Sequence, residues 1–94
     1  MSGFALIRRS VQLKLSQGLH IRACSKVVAI VGNFNGQVHI RYGSRTADAS
    51  SMFDLVQLAA LPGADLLLEG SGDGVEEILD RLEHLLSQTT EPAE

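Results

Sequence analysis

Between Val75 and Leu86 the apolar residues Val75, Ile78, Leu79, Leu82, Leu85 and Leu86 recur every three or four positions, with mostly charged residues between them. That spacing predicts an amphipathic helix, started by Asp73 as N-cap with Glu76 three residues later. A helix of about three turns is not stable alone in water, so its apolar stripe must lie against another one-sided layer of the same chain. What supplies that layer decides the fold.

Four short runs read as strands. In "SVQLKLS" the residues Val11, Leu13 and Leu15 alternate with Gln12 and Lys14, the period of a strand with one buried face. "QVHIRYGSRTADA" puts Val38, Ile40 and Tyr42 on one face and His39 and Arg41 on the other, then turns at Gly43-Ser44 into a short partner strand. "ADLLLEG" is a compact apolar run between turn signals. Two more helices fit between these runs. Ile21, Cys24, Val27, Val28 and Val31 share a helical face that stops at Gly32-Asn33, and "SSMFDLVQLAALPG" opens with the capping-box pattern Ser51-x-x-Asp54 and is closed by Pro62-Gly63.

The predicted order is therefore βαββαβα. It implies an α+β, two-layer fold: a four-stranded antiparallel sheet with three helices on one face and the other face open. Ninety-four residues leave room for one core, so a single domain is expected over residues 1–94, with a core from about 10 to 87 and a polar, frayed tail over 88–94. A net charge of −3 offers no general attraction to nucleic acid or anionic lipid. The apolar piece Phe4 to Ile7 is too short for a secretory signal, and no stretch approaches the roughly 18 apolar residues of a membrane span, which argues against membrane insertion. With Cys24 as its only cysteine, the chain has no internal disulfide. A soluble, cytoplasmic protein is expected.

Chemistry concentrates in "SQGLHIRACSKVV", where His20 falls at the start of a helix and Arg22 two residues later. The first amide groups of a helix have no partners inside it, and together with the helix dipole they favour an anion there. The same field favours a neutral imidazole, whose ring nitrogen can attack phosphorus. Arg22 then has a guanidinium fork to offer a phosphoryl group, and Gly18 lets the preceding turn approach closely. His20 and Cys24, four apart, are too few for a structural metal site, and no cofactor motif accompanies them. Cys24 lies in the apolar stripe and reads as a small core residue, whereas His39 and His84 read as solvated surface residues.

These segments together resemble the histidine-containing phosphocarrier (HPr) family of the bacterial phosphotransferase system. "GLHIRACSKVV" is similar to that family's active-site pattern Gly-Leu-His-x-Arg-Pro-Ala, and "ASSMFDLVQLAALPG" to its regulatory-serine segment. His20 and Ser51 stand 31 positions apart, the family spacing, and "EGSGDGVEEILDRL" resembles the closing turn and helix. The similarity runs from about Val11 to Leu86 and implies the family's open-faced β-sandwich. It also implies that His20 is the phosphorylated residue, at Nδ1, with Arg22 stabilising the phosphate, so the protein is a phosphoryl carrier rather than a stand-alone enzyme. Ser51 matches the serine that a kinase modifies in some members, although a plain N-cap role explains it equally well. Met52 and Phe53 match the exposed patch where partners dock. The implied partners are enzyme I, EIIA-type acceptor proteins and, in some lineages, a serine kinase.

Three positions depart from the family pattern. Ala23 replaces a proline that fixes φ at the helix start, Ser50 replaces a lysine, and Asp54 stands where some members carry a lysine. The last two remove positive charge beside the docking patch. An alternative reading is a regulatory binding module that acts by docking through Met52 and Phe53 without onward phosphoryl transfer.

Overall fold

The computed structural model describes residues 5–89. Its order is β1 (Ile7–Gln12), α1 (Ile21–Val31), β2 (Gln37–Tyr42), β3 (Arg45–Asp48), α2 (Met52–Leu58), β4 (Asp65–Ser71) and α3 (Val75–Leu86). The strands form one sheet in the order β1-β4-β2-β3, and every neighbouring pair is antiparallel. The element order and the antiparallel pairing match the α+β expectation.

Register explains the two layers. Val11 faces Leu66, Leu68 faces Ile40, and Ile40 faces Ala47 across the ladders. With Val38 these residues are buried and join Cys24 and Val27 of α1, Leu55 and Leu58 of α2, and Leu79 and Leu82 of α3 in one core. The opposite face carries a row of charge across all four strands: Arg8 opposite Glu69, Glu69 opposite His39, and His39 opposite Asp48. Unlike charges on opposed strand positions, such as Arg8 and Glu69, attract. Within the row Arg8 Nε donates to Glu69 at 2.9 Å, which holds the Glu69 carboxyl below the usual carboxylate range. On the covered face Arg9 ion-pairs with Asp80 and Glu83, tying β1 to α3.

Several elements differ from the sequence reading for identifiable reasons. β1 begins at Ile7, ahead of the expected core start, and ends at Gln12. Leu13 and Leu15 remain fully buried in extended chain beyond it, where Leu13 bonds to Ala64 and Lys14 to Leu86 in place of a ladder. Ile21, expected in the buried stripe of α1, is 68% exposed. The buried arc is Ala23, Cys24, Val27 and Val31, and at about 100° per residue Ile21 falls about 60° beyond its edge. α2 stops at Leu58, before Pro62-Gly63, because Ala59 turns left-handed with φ 51°. α3 is capped by Gly74 in a left-handed conformation and not by Asp73, so no side chain caps it. Of the polar tail expected over 88–94, residues 90–94 lie outside the described residues.

Candidate functional site

His20 is the N-cap of α1, with extended backbone (φ −82°, ψ 176°) and a half-buried side chain. Its carbonyl accepts the first helical bond, from the Cys24 N–H at 2.9 Å. Arg22 is exposed in the first turn, which contains no acidic side chain. The positive helix end is therefore not offset by a carboxylate of its own first turn, an arrangement that attracts anions.

The turn ahead of His20 requires glycine. Gly18 has φ 70°, and a Cβ there would lie 2.6 Å from the Ala60 carbonyl oxygen. Gly18 N–H donates to Leu15 at 3.0 Å, and Leu19 N–H donates to that same Ala60 oxygen at 3.0 Å. The two residues before His20 are thus held by backbone bonds.

Ser51 is the N-cap of α2, and its Oγ accepts the Asp54 N–H at 3.2 Å. The reciprocal half of the capping box is absent: Ser51 N–H donates to the Asp48 carbonyl at 2.9 Å, and the Asp54 carboxylate takes the Asp48 N–H at 3.1 Å. Ser50 donates to Asp48 Oδ1 through its N–H at 2.9 Å and its hydroxyl at 2.7 Å. These bonds hold the Asp48 carboxyl below the ordinary carboxylate range. Two of the three departures from the family pattern, Ser50 and Asp54, therefore meet at Asp48 and close the approach to α2.

Met52 is half-buried and Phe53 is 70% exposed. Val56, three residues on from Phe53 along α2, is exposed, as are Ile21 beside His20 and Leu61 beside Gly18. The sequence reading did not single out Val56 or Leu61, and it placed Ile21 in the buried stripe. Their signal was an apolar residue at helical or pre-turn spacing, which a core residue also gives. The remaining candidates stand apart. Cys24 is buried, its Sγ donates to the Leu19 carbonyl at 3.6 Å, and burial pushes its thiol pKa up to about 11. His84 is exposed and bonds Gln88, whereas His39 is half-buried between Glu69 and Asp48, so it is less solvated than expected. A concavity of about 670 Å³ on the open face is lined by Arg8, Gln12, Arg41 and Glu69, and neither His20 nor Arg22 contributes to it.

Comparison with known proteins places this arrangement. The family profile described as "PTS HPr component phosphorylation site" matches residues 7–88. A phosphocarrier protein HPr of Cupriavidus necator is 33% identical over 82 residues, which cover 87% of this chain and 92% of the relative. A phosphocarrier protein NPr of Shewanella violacea is 29% identical over 76 residues, or 81% of this chain and 84% of the relative. The crystal structure of an HPr from Bacillus anthracis str. Ames superposes with a TM-score of 0.82 at 26% identity, covering 89% of this chain and 99% of that one.

Proposed function

The chain belongs to the HPr family of phosphocarriers of the phosphotransferase system, and on that premise we propose that His20 is the residue that receives the phosphoryl group and hands it on. The observation that carries this reading is His20 at the N-cap of an eleven-residue helix, with Arg22 in the first turn and no carboxylate there. In the proposed step a ring nitrogen, Nδ1 by family likeness, forms a bond to phosphorus while the phosphorus bond to the donor breaks. The other ring nitrogen keeps its proton. The product carries a dianionic phosphoryl group over the helix start, where amide dipoles and the Arg22 guanidinium stabilise it. Phosphoryl transfer asks a protein for positioning and charge stabilisation, and this site has both kinds of group.

Met52 and Phe53, extended by Val56 and Leu61, form the proposed docking face for enzyme I as donor and for an EIIA-type acceptor. Ser51 is a proposed modification site for a serine kinase, in addition to its capping bond. Among the described residues no helix is long and apolar enough to cross a membrane, and the proposed setting is the cytoplasm.

The test incubates the protein with phosphoenolpyruvate, magnesium and enzyme I from the same cell, and follows an acid-labile phosphate by mass. Wild type gains one phosphate, His20→Ala gains none, and Arg22→Ala gains it more slowly with unchanged circular dichroism. Labelling of His20→Ala at the wild-type level overturns the assignment of His20. Label that forms but never passes to an acceptor protein favours the docking module, to which the exposed Phe53 is also suited.

A further inference from the structure

The His20 loop is suspended from the segment that follows α2. Leu13 N–H donates to Ala64 at 2.8 Å, Gly63 N–H donates back to Leu13 at 2.7 Å, and Leu19 N–H reaches the Ala60 carbonyl at 3.0 Å. Gly18 lies close to that same carbonyl, which leaves no room for a Cβ. Where Ala60 sits, the residues next to His20 must follow.

Ala60 is aimed by the turn at Ala59, the C-cap of α2, with φ 51° and ψ 37°. Ala59 is the one non-glycine residue of positive φ among the described residues, and alanine keeps that conformation only where its surroundings hold it. The last carbonyls of a helix have no partners within it, and here two are satisfied in a way that fixes the turn. Val56 takes the Ala59 N–H at 3.2 Å, and Leu58 takes Nη1 of Arg45 at 3.1 Å. Arg45 starts β3 opposite Tyr42, so its backbone is anchored in the sheet. A cationic donor on a C-terminal carbonyl also complements the helix dipole.

We propose that Arg45 is a positioning residue for His20, acting through the Leu58 carbonyl, the Ala59 turn and the Ala60 carbonyl. Its consequence for phosphoryl transfer rests on the reading of His20 as acceptor, whereas the mechanical link does not. The experiment compares wild type, Arg45→Met, Arg45→Lys, Ala59→Gly and the double variant Arg45→Met/Ala59→Gly. Amide hydrogen exchange is followed at Leu19, with the central-sheet amides of Ile40 and Leu68 as internal reference, alongside kcat and KM for phosphorylation by enzyme I.

In Arg45→Met, Leu19 exchange rises about tenfold relative to Ile40 and Leu68, on the scale of a lost hydrogen bond to a charged group. kcat falls while KM for enzyme I stays unchanged. Arg45→Lys keeps the donor and restores most of both. Glycine at position 59 holds the left-handed turn without help, so the double variant returns Leu19 to the exchange of Ala59→Gly alone; this comparison decides the matter even if Arg45→Met is too unstable to study. An unchanged Leu19 amide, an equal rise at all three amides, a change in KM alone or failure of the glycine rescue each overturns the proposal. A wild type that enzyme I never labels refutes the acceptor reading instead, and the exchange data still judge the link.

Discussion

Gly18→Ala tests how tightly the His20 turn is held. The substitution imposes two costs, and the structure allows them to be separated. An alanine at φ 70° carries a left-handed penalty of about 1–2 kcal/mol. Its methyl group also lands 2.6 Å from the Ala60 oxygen, a backbone atom that already accepts the Leu19 N–H and has no rotamer in which to escape. Relieving such overpacking costs about another 1–3 kcal/mol. A total near 3 kcal/mol lowers Tm by about 12–24 °C in a domain of this size. Gly43→Ala supplies the control, because Gly43 also has positive φ, 61°, but a Cβ there meets nothing within 4 Å. Urea unfolding of both variants yields two midpoints, and at equal m-values their difference isolates the contact with Ala60. Stabilities of the two variants that agree within about 0.5 kcal/mol would show that Gly18 is required for its φ alone and that a Cβ finds room beside Ala60.

Three further outcomes follow from bonds already described. Ser51→Ala removes the cap of α2 and lowers stability by about 0.5–2 kcal/mol, read from the urea midpoint; a smaller loss means the Asp48 carbonyl alone fixes the helix start. Asp48, held low first by the Ser50 hydroxyl, titrates below its unfolded value, so the stabilisation is complete above the ordinary carboxyl range of about 3.9–4.3 and is lost as pH falls through the lower folded value. The stability difference between wild type and Ser50→Ala is therefore present at neutral pH and closes in acid, and a difference that stays constant down to low pH refutes the linkage. Cys24, buried with its thiol pKa pushed up to about 11, reacts with a thiol reagent at pH 8 only as fast as the chain opens; labelling at the rate of a free thiol means α1 is not packed as described.

The sheet and its helices were legible because their periods are unmistakable. Val38 and Ile40, two apart, and Leu79 and Leu82, three apart, are all buried where the patterns place them. The boundaries were less legible, because they are set by interactions that no window of sequence contains. Ile7 joins β1 because Gly70 stands opposite it, and residues 7 and 70 carry no mutual sign in the chain. Asp73 has the side chain of an N-cap, yet α3 begins after the left-handed Gly74. Glycine has no Cβ and can take that turn at no steric cost, so backbone geometry outranks the side-chain bond. α2 ends before Pro62-Gly63 although Ala59 is a good helix former locally, and the Arg45 bond to Leu58, across thirteen positions, lies outside any local window.

At the candidate site the pattern failed in one direction only. His20, Arg22 and Ser51 were placed on the correct helix ends because capping and dipole arguments depend on neighbours one to three residues away. Ile21 was misread as core because its spacing to Cys24 and Val28 is that of a buried stripe, and Val56 and Leu61 went unremarked for the same reason. An apolar residue that seals a core and one that waits for a partner follow the same transfer energetics, about 25 cal/mol for each Å² removed from water, and so take the same residue types. What separates them is whether this chain itself covers the side chain. At Leu55 and Leu58 it does, whereas at Phe53 and Val56, on the same short helix, it does not. Under the proposed function, a carrier that meets more than one protein in turn is expected to leave such a face uncovered, beside the helix end proposed to hold the transferred group. Apolar surface that this chain leaves in water is therefore what the proposed docking role requires.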